Sequence, residues 1–295
     1  MIQYKQCPVC LSDLVKMNFA VKDFSVSGEL FEVWNCLHCT VLFTQGVPDA
    51  LSIAPYYHSE NYISHSDTQQ GFVNWMYHKV RNYTLKKKAK LIQRVSKKNA
   101  GKLLDVGAGT GAFADAMQKS GWQVTALEPD SGAVAVARQK YKLSLQPLET
   151  LFQLSDNYDV ITLWHVLEHV HDLHGYMDEF KRLLKPGGKL IIAVPNYCCR
   201  DRMHYGAYWA AWDVPRHLYH FSPLSLKILF EKHGFVCLKK APMWFDSFYV
   251  SMLSEKYKTG RNRIIPACFY GLQSNIAALW KAEKCSSLIY IAESV

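Results

Sequence analysis

Short apolar runs alternate with longer amphipathic segments through most of the chain. Runs rich in β-branched residues predict seven strands, the third of them weak, over residues 102–107, 122–128, 143–147, 158–164, 189–194, 235–240 and 286–293. Apolar positions three and four apart predict helices between them, over residues 110–120, 131–141, 172–185 and 222–234. The alternation predicts an α/β fold with a doubly wound, mostly parallel seven-stranded sheet, which binds ligands at the carboxyl ends of its strands.

The flanking segments follow other patterns. Residues 1–45 predict a small module of two or three short strands, and residues 46–74 form a connector rich in tyrosine and histidine that is either a surface loop or a lid. An amphipathic helix over 75–98 opens the α/β domain of residues 75–295. Two further helices at 241–283 predict an insertion before the last strand.

Composition and charge narrow the class of protein. The chain has 295 residues, 49% of them hydrophobic, enough for one α/β domain and a smaller module. It contains no apolar run near 18 residues, and its start lacks a hydrophobic signal region, so we expect a cytoplasmic protein without a membrane span. Nine lysines and arginines within 79–98 account for the net charge of +9. This stripe is either a solvated helix face or a track for nucleic acid.

Four cysteines near the start predict a zinc site. Cys7 and Cys10 form one C-x-x-C pair, and Cys36 and Cys39 form a second pair after 25 intervening residues. Two such pairs supply the four thiolates of a closed tetrahedral zinc site, as in a zinc ribbon. A redox C-x-x-C is the alternative, but one redox pair does not require the second. A closed site has no position for water, so we assign it a structural role.

A glycine-rich turn follows the first strand of the α/β domain. Gly107, Gly109 and Gly111 come directly after the strand that carries Asp105, in the sequence LLDVGAGTG. Glycine allows positive φ and a close approach of ligand to the backbone. Glu128 ends the next strand, about 20 residues on, which is the spacing that places an acid on ribose hydroxyls. The turn sequence Pro-Gly-Gly at 186–188 precedes the apolar strand KLIIAV.

These motifs together resemble those of the class I S-adenosylmethionine-dependent methyltransferases, over roughly residues 75–240. Asp105 and the three glycines match the family's first motif, and Glu128 matches its ribose acid. The resemblance implies a methyltransferase with S-adenosylmethionine as cofactor, its methionine part lying over the glycine turn. It also implies further cofactor contacts from residues at two other strand ends, which are Leu148, Glu149, Trp164 and His165.

Methyl transfer often requires a base, and two histidine-rich segments follow predicted strands. WHVLEHVHDLH covers residues 164–174, and WDVPRHLYHFS covers 212–222. Both leave the carboxyl edge of the sheet, so we expect them to face one another, with His169 and His217 as catalytic residues. A metal site made by these histidines is an alternative, but neither segment places a histidine pair at ligand spacing on a helix with carboxylate support.

The zinc module, the tyrosine-rich connector and the second histidine segment resemble sugar C-methyltransferases that act on nucleotide-linked sugars. That family carries Tyr-x-Glu-His where this chain has Val214 and Arg216 before His217. The departure favours a small anionic acceptor such as a sugar nucleotide or glycan precursor, methylated on carbon or oxygen. The residues expected to bind it are Tyr57, Tyr62, Arg216 and Tyr219. An RNA methyltransferase that uses the zinc module and the basic helix is the alternative.

Overall fold

The computed structural model describes residues 1–57 and 72–295, without the side chains of residues 72–78. Tyr62 and most of the predicted connector therefore lie outside the described residues. The chain divides into two compact units. The first contains Met1–Asn61, His165–Tyr176 and Ala193–Tyr290, and the second contains Tyr62–Trp164, Met177–Ile192 and Ile291–Val295.

The described chain contains ten strands and eight α-helices. The strands are β1 Val15–Lys22, β2 Leu30–Cys36, β3 Leu42–Thr44, β4 Lys102–Val106, β5 Gln123–Leu127, β6 Tyr158–Trp164, β7 Leu184–Pro195, β8 Tyr219–His220, β9 Phe235–Pro242 and β10 Ser287–Ser294. The helices are α1 Phe72–Ser96, α2 Ala112–Lys119, α3 Ser131–Val136, α4 Leu173–Leu183, α5 Arg200–Tyr205, α6 Pro223–Lys232, α7 Asp246–Thr259 and α8 Ile264–Trp280.

The larger sheet has six strands in the order β5-β4-β6-β7-β10-β9. Its centre is parallel: Leu103 of β4 lies opposite Val124 of β5 on one side and Val160 of β6 on the other. All of β6 up to its last residue is buried, as is most of β7, which explains why their apolar residues do not alternate with exposed polar ones. The mixed α/β fold with a largely parallel sheet is therefore confirmed.

The predicted count of seven strands is not confirmed for this sheet. At residues 143–147, only Gln146 pairs with the sheet, through an isolated parallel bridge to Leu127 of β5. Leu143 and Leu145 are nevertheless buried, because they pack on Ala114 and Ala137 of the neighbouring helical segments. Helix packing thus produces an alternating apolar pattern that resembles that of a strand.

A second, four-stranded sheet has the order β1-β2-β3-β8 and lies within the first unit. Its first three strands form the predicted N-terminal module. The fourth comes from the second histidine segment, since Phe43 pairs with Tyr219 and Leu42 with His220. Apolar residues of β1 and β2, among them Val21 and Val33, share a buried cluster with Trp209 and Trp212. The predicted domain boundaries at residues 45 and 74 stay predictions.

The helices follow local sequence signals. Ser222 caps α6 by accepting a hydrogen bond from the Ser225 N–H, and Pro223 occupies the first turn, where it costs no backbone hydrogen bond. The α3 helix continues as a π-helical turn over Ala137–Tyr141. Two helices, α7 and α8, fill the predicted insertion before β10. Among the described helices, none combines the length and apolar character needed to cross a bilayer.

Candidate active site

The glycine turn joins β4 to α2 within the second unit. Gly107, Gly109 and Gly111 all have positive φ, at 69°, 54° and 77°. A Cβ on Gly111 would come within 3.0 Å of Leu143 Cδ1, so packing as well as backbone conformation requires glycine there. A Cβ on Gly109 would meet nothing within 4 Å among the described atoms. Gly109 therefore faces space that a ligand can enter against the bare backbone.

Glu128 lies one residue beyond β5 and is bonded to this turn. Its Oε2 accepts a hydrogen bond from the Gly109 N–H at 2.7 Å, and its Oε1 accepts one from the Asp130 N–H at 2.9 Å. The Glu128 side chain is buried, with 8% of its surface exposed. An acid at the end of the second strand, about 20 residues after the glycine turn, is the group that binds ribose hydroxyls in folds of this type. Glu128 thus fits the hydroxyls of a ribose.

Asp105 is buried in β4 beneath the turn. Thr162 Oγ1 of β6 donates a hydrogen bond to its Oδ1 at 2.8 Å. Burial raises the pKa of Asp105 to about 7, because the charged carboxylate is poorly solvated there. A cationic group bound nearby would favour the ionised form. The S-adenosylmethionine expected from the sequence carries an ammonium group. The buried carboxylates of Asp105 and Glu128 and the open space beside Gly109 together fit this cofactor.

Trp164 ends β6 beside residues that the sequence analysis did not identify. Lys88 Nζ of α1 lies 4.0 Å from the centroid of the Trp164 ring, and Phe113 of α2 packs against that ring edge-on. The Trp164 Nε1 is buried and has no hydrogen-bond partner in the described part of the chain. The sequence did not identify Lys88 as a site residue, because Lys88 is one of several lysines in this part of α1.

Leu148 and Glu149 begin a 3-10 helix over Leu148–Gln153. Leu148 is half-buried and Glu149 is exposed. Their contact with the adenine of the cofactor stays a prediction that rests on the family resemblance.

His165 is the first histidine after β6 and belongs to the first unit. Its Nε2 lies 2.7 Å from Asp246 Oδ2 at the start of α7, and its Nδ1 lies 3.3 Å from Glu168 Oε1. Burial lowers its pKa, but the two carboxylates more than offset this and bring the pKa to about 10. His165 is therefore an imidazolium at neutral pH. Asp246 lies 81 residues away in sequence, and no local pattern could have identified it.

The two histidine segments do come together within the first unit. The rings of His169 and His217 pack edge to face with centroids 4.6 Å apart. The Arg216 carbonyl oxygen lies 3.0 Å from His169 Nδ1, and the Ala211 carbonyl oxygen lies 2.9 Å from His217 Nδ1. A carbonyl oxygen can only accept, so Nδ1 carries the proton in both rings. Nε2 is then the ring nitrogen of each histidine that these carbonyl bonds leave uncommitted.

Burial, and to a smaller extent the neighbouring His217, lower the pKa of His169 to about 4. His169 is thus neutral at physiological pH. The Tyr57 hydroxyl lies 3.0 Å from His169 Nδ1. Burial holds the pKa of Tyr57 above its usual value, so this hydroxyl keeps its proton. Glu168, next in the chain, is completely buried beside the same histidines.

The contacts of Arg216 differ from those predicted for a residue that binds an anionic acceptor. The side chain is buried, with NH2 2.9 Å from Asp23 Oδ1 and 2.8 Å from Asp213 Oδ1. NH1 donates to the Tyr56 carbonyl oxygen at 2.7 Å. Two carboxylates already neutralise this guanidinium, so its geometry gives no support to an anionic acceptor. Tyr219 is also buried, with its hydroxyl 3.4 Å from the His171 carbonyl oxygen.

The four N-terminal cysteines form a single cluster. Their sulfur atoms all lie within 4.8 Å of one another, with Cys7 3.5 Å from Cys39 and Cys10 3.5 Å from Cys36. Tetrahedral zinc with bonds of about 2.3 Å to sulfur places its ligands roughly 3.8 Å apart. Backbone N–H groups of Val9 and Cys10 point to the Cys7 sulfur at 3.4 Å, as expected for a thiolate acceptor. The donor set and spacing fit zinc.

Comparison with known proteins identifies the class of enzyme. A family model described as a methyltransferase domain matches residues 77–240, more than half of the chain. The ubiquinone biosynthesis O-methyltransferase of Aeromonas salmonicida (strain A449) is 27% identical over 175 residues, which cover 55% of this chain and 71% of that protein. The protein of the same name from Xanthomonas oryzae pv. oryzae (strain PXO99A) is 32% identical over 130 residues, which cover 41% of this chain and 54% of that protein.

A solved structure supports the fold. The magnesium protoporphyrin IX methyltransferase of Synechocystis PCC 6803, with bound SAH, aligns with a TM-score of 0.54 at 14% sequence identity. The alignment covers 84% of this chain and all of that one. The family match over the segment that contains Asp105, the glycine turn and Glu128 confirms the class of enzyme expected from the sequence. The chain therefore belongs to the S-adenosylmethionine-dependent methyltransferases.

Proposed function

We propose that this enzyme transfers a methyl group to a hydroxyl of a small-molecule acceptor, such as a sugar nucleotide or another glycan precursor. The observation that carries the proposal is the pair formed by His169 and His217. The rings lie 4.6 Å apart between centroids, and each donates its Nδ1–H to a backbone carbonyl oxygen. Such a pair suits an acceptor that must lose a proton as it is methylated.

Cofactor binding is assigned to the second unit. Asp105 is the candidate partner of the cofactor's ammonium, and Glu128 is the candidate partner of its ribose hydroxyls. Gly109 leaves the backbone accessible beside them. When bound, S-adenosylmethionine supplies an activated methyl carbon, whose bond to sulfur breaks with the electron pair left on sulfur while the acceptor's oxygen forms the new bond. The chain's own contribution is to position both partners and to manage the acceptor's proton.

Several observations favour oxygen rather than carbon as the methylated atom. The curated relatives named above are O-methyltransferases. The Tyr-x-Glu-His arrangement of the sugar C-methyltransferases is replaced here by Val214 and Arg216 before His217. Arg216 is itself paired with Asp23 and Asp213, and Asp213 Oδ2, at 3.9 Å from His217 Nε2, lies beyond hydrogen-bond distance of that histidine. A hydroxyl is also easier to deprotonate than a carbon acid next to a ketone.

We also propose a structural zinc ion on Cys7, Cys10, Cys36 and Cys39. Four sulfurs are all the protein ligands that a tetrahedral zinc ion requires. The cluster would connect the segment before β1 to the end of β2, at the open end of the β1–β2 hairpin. In a region with short strands, such an ion supplies folding free energy that a small core cannot.

Methyl labelling of a cell extract tests the proposed acceptor class. Purified enzyme and methyl-labelled S-adenosylmethionine are incubated with a fractionated extract, before and after ribonuclease treatment. We expect label in the low-molecular-weight fraction, reduced roughly 100-fold or more in His217→Ala. The matched control is His171→Ala, in the first histidine segment but bonded to the Pro48 carbonyl oxygen. Label confined to a ribonuclease-sensitive fraction would instead identify an RNA methyltransferase that uses the basic face of α1.

A further inference from the structure

Helix α8 buries its small residues and exposes its large ones. Its buried positions follow one another at intervals of three or four residues and include Ala267, Gly271, Ser274 and Ala278. A Cβ on Gly271 would come within 2.9 Å of Phe248 Cδ1 in α7, so the close packing of the two helices requires glycine there. A surface helix normally directs its large apolar side chains to the core and its polar ones to solvent. The reversed arrangement in α8 indicates a second apolar contact, on its outer face.

The outer face of α8 carries a heptad pattern. Large apolar side chains recur there after 4, 3, 4 and 3 residues, at Ile265, Phe269, Leu272, Ile276 and Leu279. Their exposed fractions range from 43% at Ile276 to 84% at Ile265, and the sequence has no charged residue from Ile264 to Trp280. An average spacing of 3.5 residues is that of the seam through which the helices of a coiled coil pack on one another. The outer face of α8 therefore fits another helix.

Helix α7 extends this apolar surface within the first unit. Phe245 directly before α7, and Tyr249 and Met252 within it, are exposed and again lie 4 and 3 residues apart. A fully exposed large apolar side chain presents about 200 Å², so the outer stripes of α7 and α8, with Trp280, amount to roughly 1,000 Å². The largest apolar patch on a typical monomer measures about 300–600 Å². A stable interface takes about 800 Å² from each partner, so the α7–α8 hairpin exposes the area that one partner of a stable dimer buries.

The seam of α8 is complementary to itself in the antiparallel direction. Ile265 lies seven residues before Leu272, and Leu279 lies seven residues after it. A second α8 that runs antiparallel, with its Leu272 opposite the first, therefore pairs each Ile265 with a Leu279. The same residues of both copies then form the contact, as in a two-fold interface that closes on itself.

Charged residues beyond the ends of the seam favour this direction. Arg261 lies 11 residues before Leu272, and Glu283 lies 11 residues after it. Antiparallel pairing brings the end with Arg261 to the end with Glu283, whereas parallel pairing brings the arginines of both copies together. Glu283 is partly exposed, although it also pairs with Lys240 and Lys281 of its own chain.

We propose that a second copy of this chain binds the outer face of the α7–α8 hairpin. The two hairpins then form an antiparallel four-helix bundle, with helices that cross at about 20° and a two-fold axis at Leu272. The inference goes beyond the proposed function, since none of these residues is assigned to the cofactor or the acceptor.

Sedimentation equilibrium of the full chain, purified in the presence of zinc, tests the interface. We expect a species of twice the chain's 33.8 kDa at micromolar concentration. Leu272→Glu places two carboxylates against each other at the axis, so the dissociation constant should rise roughly 100-fold or more. The matched control is Leu51→Glu, at a leucine that is 96% exposed, and it should dimerise like wild type. Because both leucines are exposed, both variants should bind S-adenosylmethionine as wild type does, which serves as the folding check.

Cysteine cross-linking tests the position of the axis. Leu272→Cys is made in a Cys268→Ser background, which removes the exposed native cysteine of α8. Oxidised glutathione should join two copies by a disulfide between the introduced thiols, because an axis at this position brings them within bonding distance. Leu51→Cys in the same background is the control and should remain unlinked on a non-reducing gel.

A wild-type chain that remains at 33.8 kDa at every concentration would overturn the inference. A dimer that Leu272→Glu leaves intact would also overturn it, because the interface would then lie elsewhere. A monomer that binds vesicles of anionic phospholipid, and loses this binding in Leu272→Glu, would show that a membrane covers the surface instead. A dimeric wild-type enzyme without methyl transfer to small molecules would refute the proposed function and leave this inference intact.

Discussion

Glu128 accepts a hydrogen bond from the backbone N–H of Gly109, with 2.7 Å between oxygen and nitrogen. The bond joins the acid at the end of β5 to the turn at the end of β4, so the carboxylate and the exposed backbone are positioned together. Glu128 therefore has two roles: it fixes the shape of the turn, and it makes the contact with the cofactor's ribose that is proposed for it. Variants of the turn can separate these roles.

Alanine at Gly109 and at Gly111 should have different consequences. Both positions have positive φ, so each substitution costs about 1–2 kcal/mol in backbone strain. At Gly111 the new Cβ also meets Leu143 and Ala137, which adds about 1–3 kcal/mol of overpacking. At Gly109 it enters open space, where it obstructs a ligand. We expect Gly111→Ala to lower the melting temperature more, and Gly109→Ala to weaken cofactor affinity more. Thermal unfolding and calorimetry measure the two effects, and the reverse ranking would contradict the placement of the cofactor.

Arg216→Met should destabilise the protein rather than weaken acceptor binding. It leaves the buried Asp23 carboxylate and the partly exposed Asp213 carboxylate without their cation, a loss of about 3–5 kcal/mol. The matched control is Arg200→Met, because Arg200 is exposed at the start of α5. Urea unfolding at neutral pH compares the two. A raised KM for the acceptor with wild-type stability would show that Arg216 binds the acceptor after all.

The sequence correctly predicted the features that depend on residues close together in the chain. The turn after β4 and Glu128 at the end of β5 follow from residues within one βαβ unit. The meeting of His169 and His217 followed from a general rule, that segments after parallel strands leave the sheet at the same edge. Partners distant in sequence could not be inferred in this way. Asp23 lies 193 residues from Arg216, and its pairing depends on how β1 and β2 pack within the first unit.

Strand prediction was wrong where burial has another cause. Leu143 and Leu145 alternate with polar residues because they pack on helical alanines, not because they form a ladder. Conversely, β8 has only two residues, too few to show any period, and pairing with β3 makes it a strand. In both cases tertiary contacts, rather than the local pattern, determine the backbone structure.

Metal analysis should find about one zinc ion per chain bound to the cysteine cluster. Cys7→Ser/Cys36→Ser should lose it and unfold more easily, because metal binding and folding are coupled at such sites. Cys268→Ser, at an exposed cysteine in α8, is the control and should keep its zinc. Elemental analysis and thermal unfolding after removal of loosely bound metal report both effects. A double variant without zinc that is as stable as wild type would refute a structural role.

Asp159 should contribute stability that disappears in acid. Burial raises its pKa, but bonds from Lys98 Nζ, the Lys102 N–H and Lys185 Nζ outweigh burial and bring the pKa to about 2. A depressed pKa means that the stabilisation is complete above about pH 4 and is lost as the pH falls through 2. Asp159→Asn should therefore cost about 1–2 kcal/mol at neutral pH, since the two lysines are partly exposed.

The difference between wild type and Asp159→Asn should shrink as urea unfolding is repeated from pH 4 towards pH 2. Asp156→Asn provides the comparison, because Asp156 is exposed and pairs with Lys102 only at the surface. A stability difference that stays constant over this pH range would show that the carboxylate charge is not what stabilises the fold at Asp159.

The most direct test of the account is calorimetric titration of S-adenosylmethionine into wild-type enzyme and Glu128→Ala. The control is Asp115→Asn, an acid on α2 near the turn that pairs with Lys119. We expect saturable binding of one cofactor per chain, weakened in Glu128→Ala by about 1–3 kcal/mol, roughly 5- to 150-fold, and unchanged in the control. Wild-type affinity in a folded Glu128→Ala variant would contradict the assignment of the cofactor to this turn.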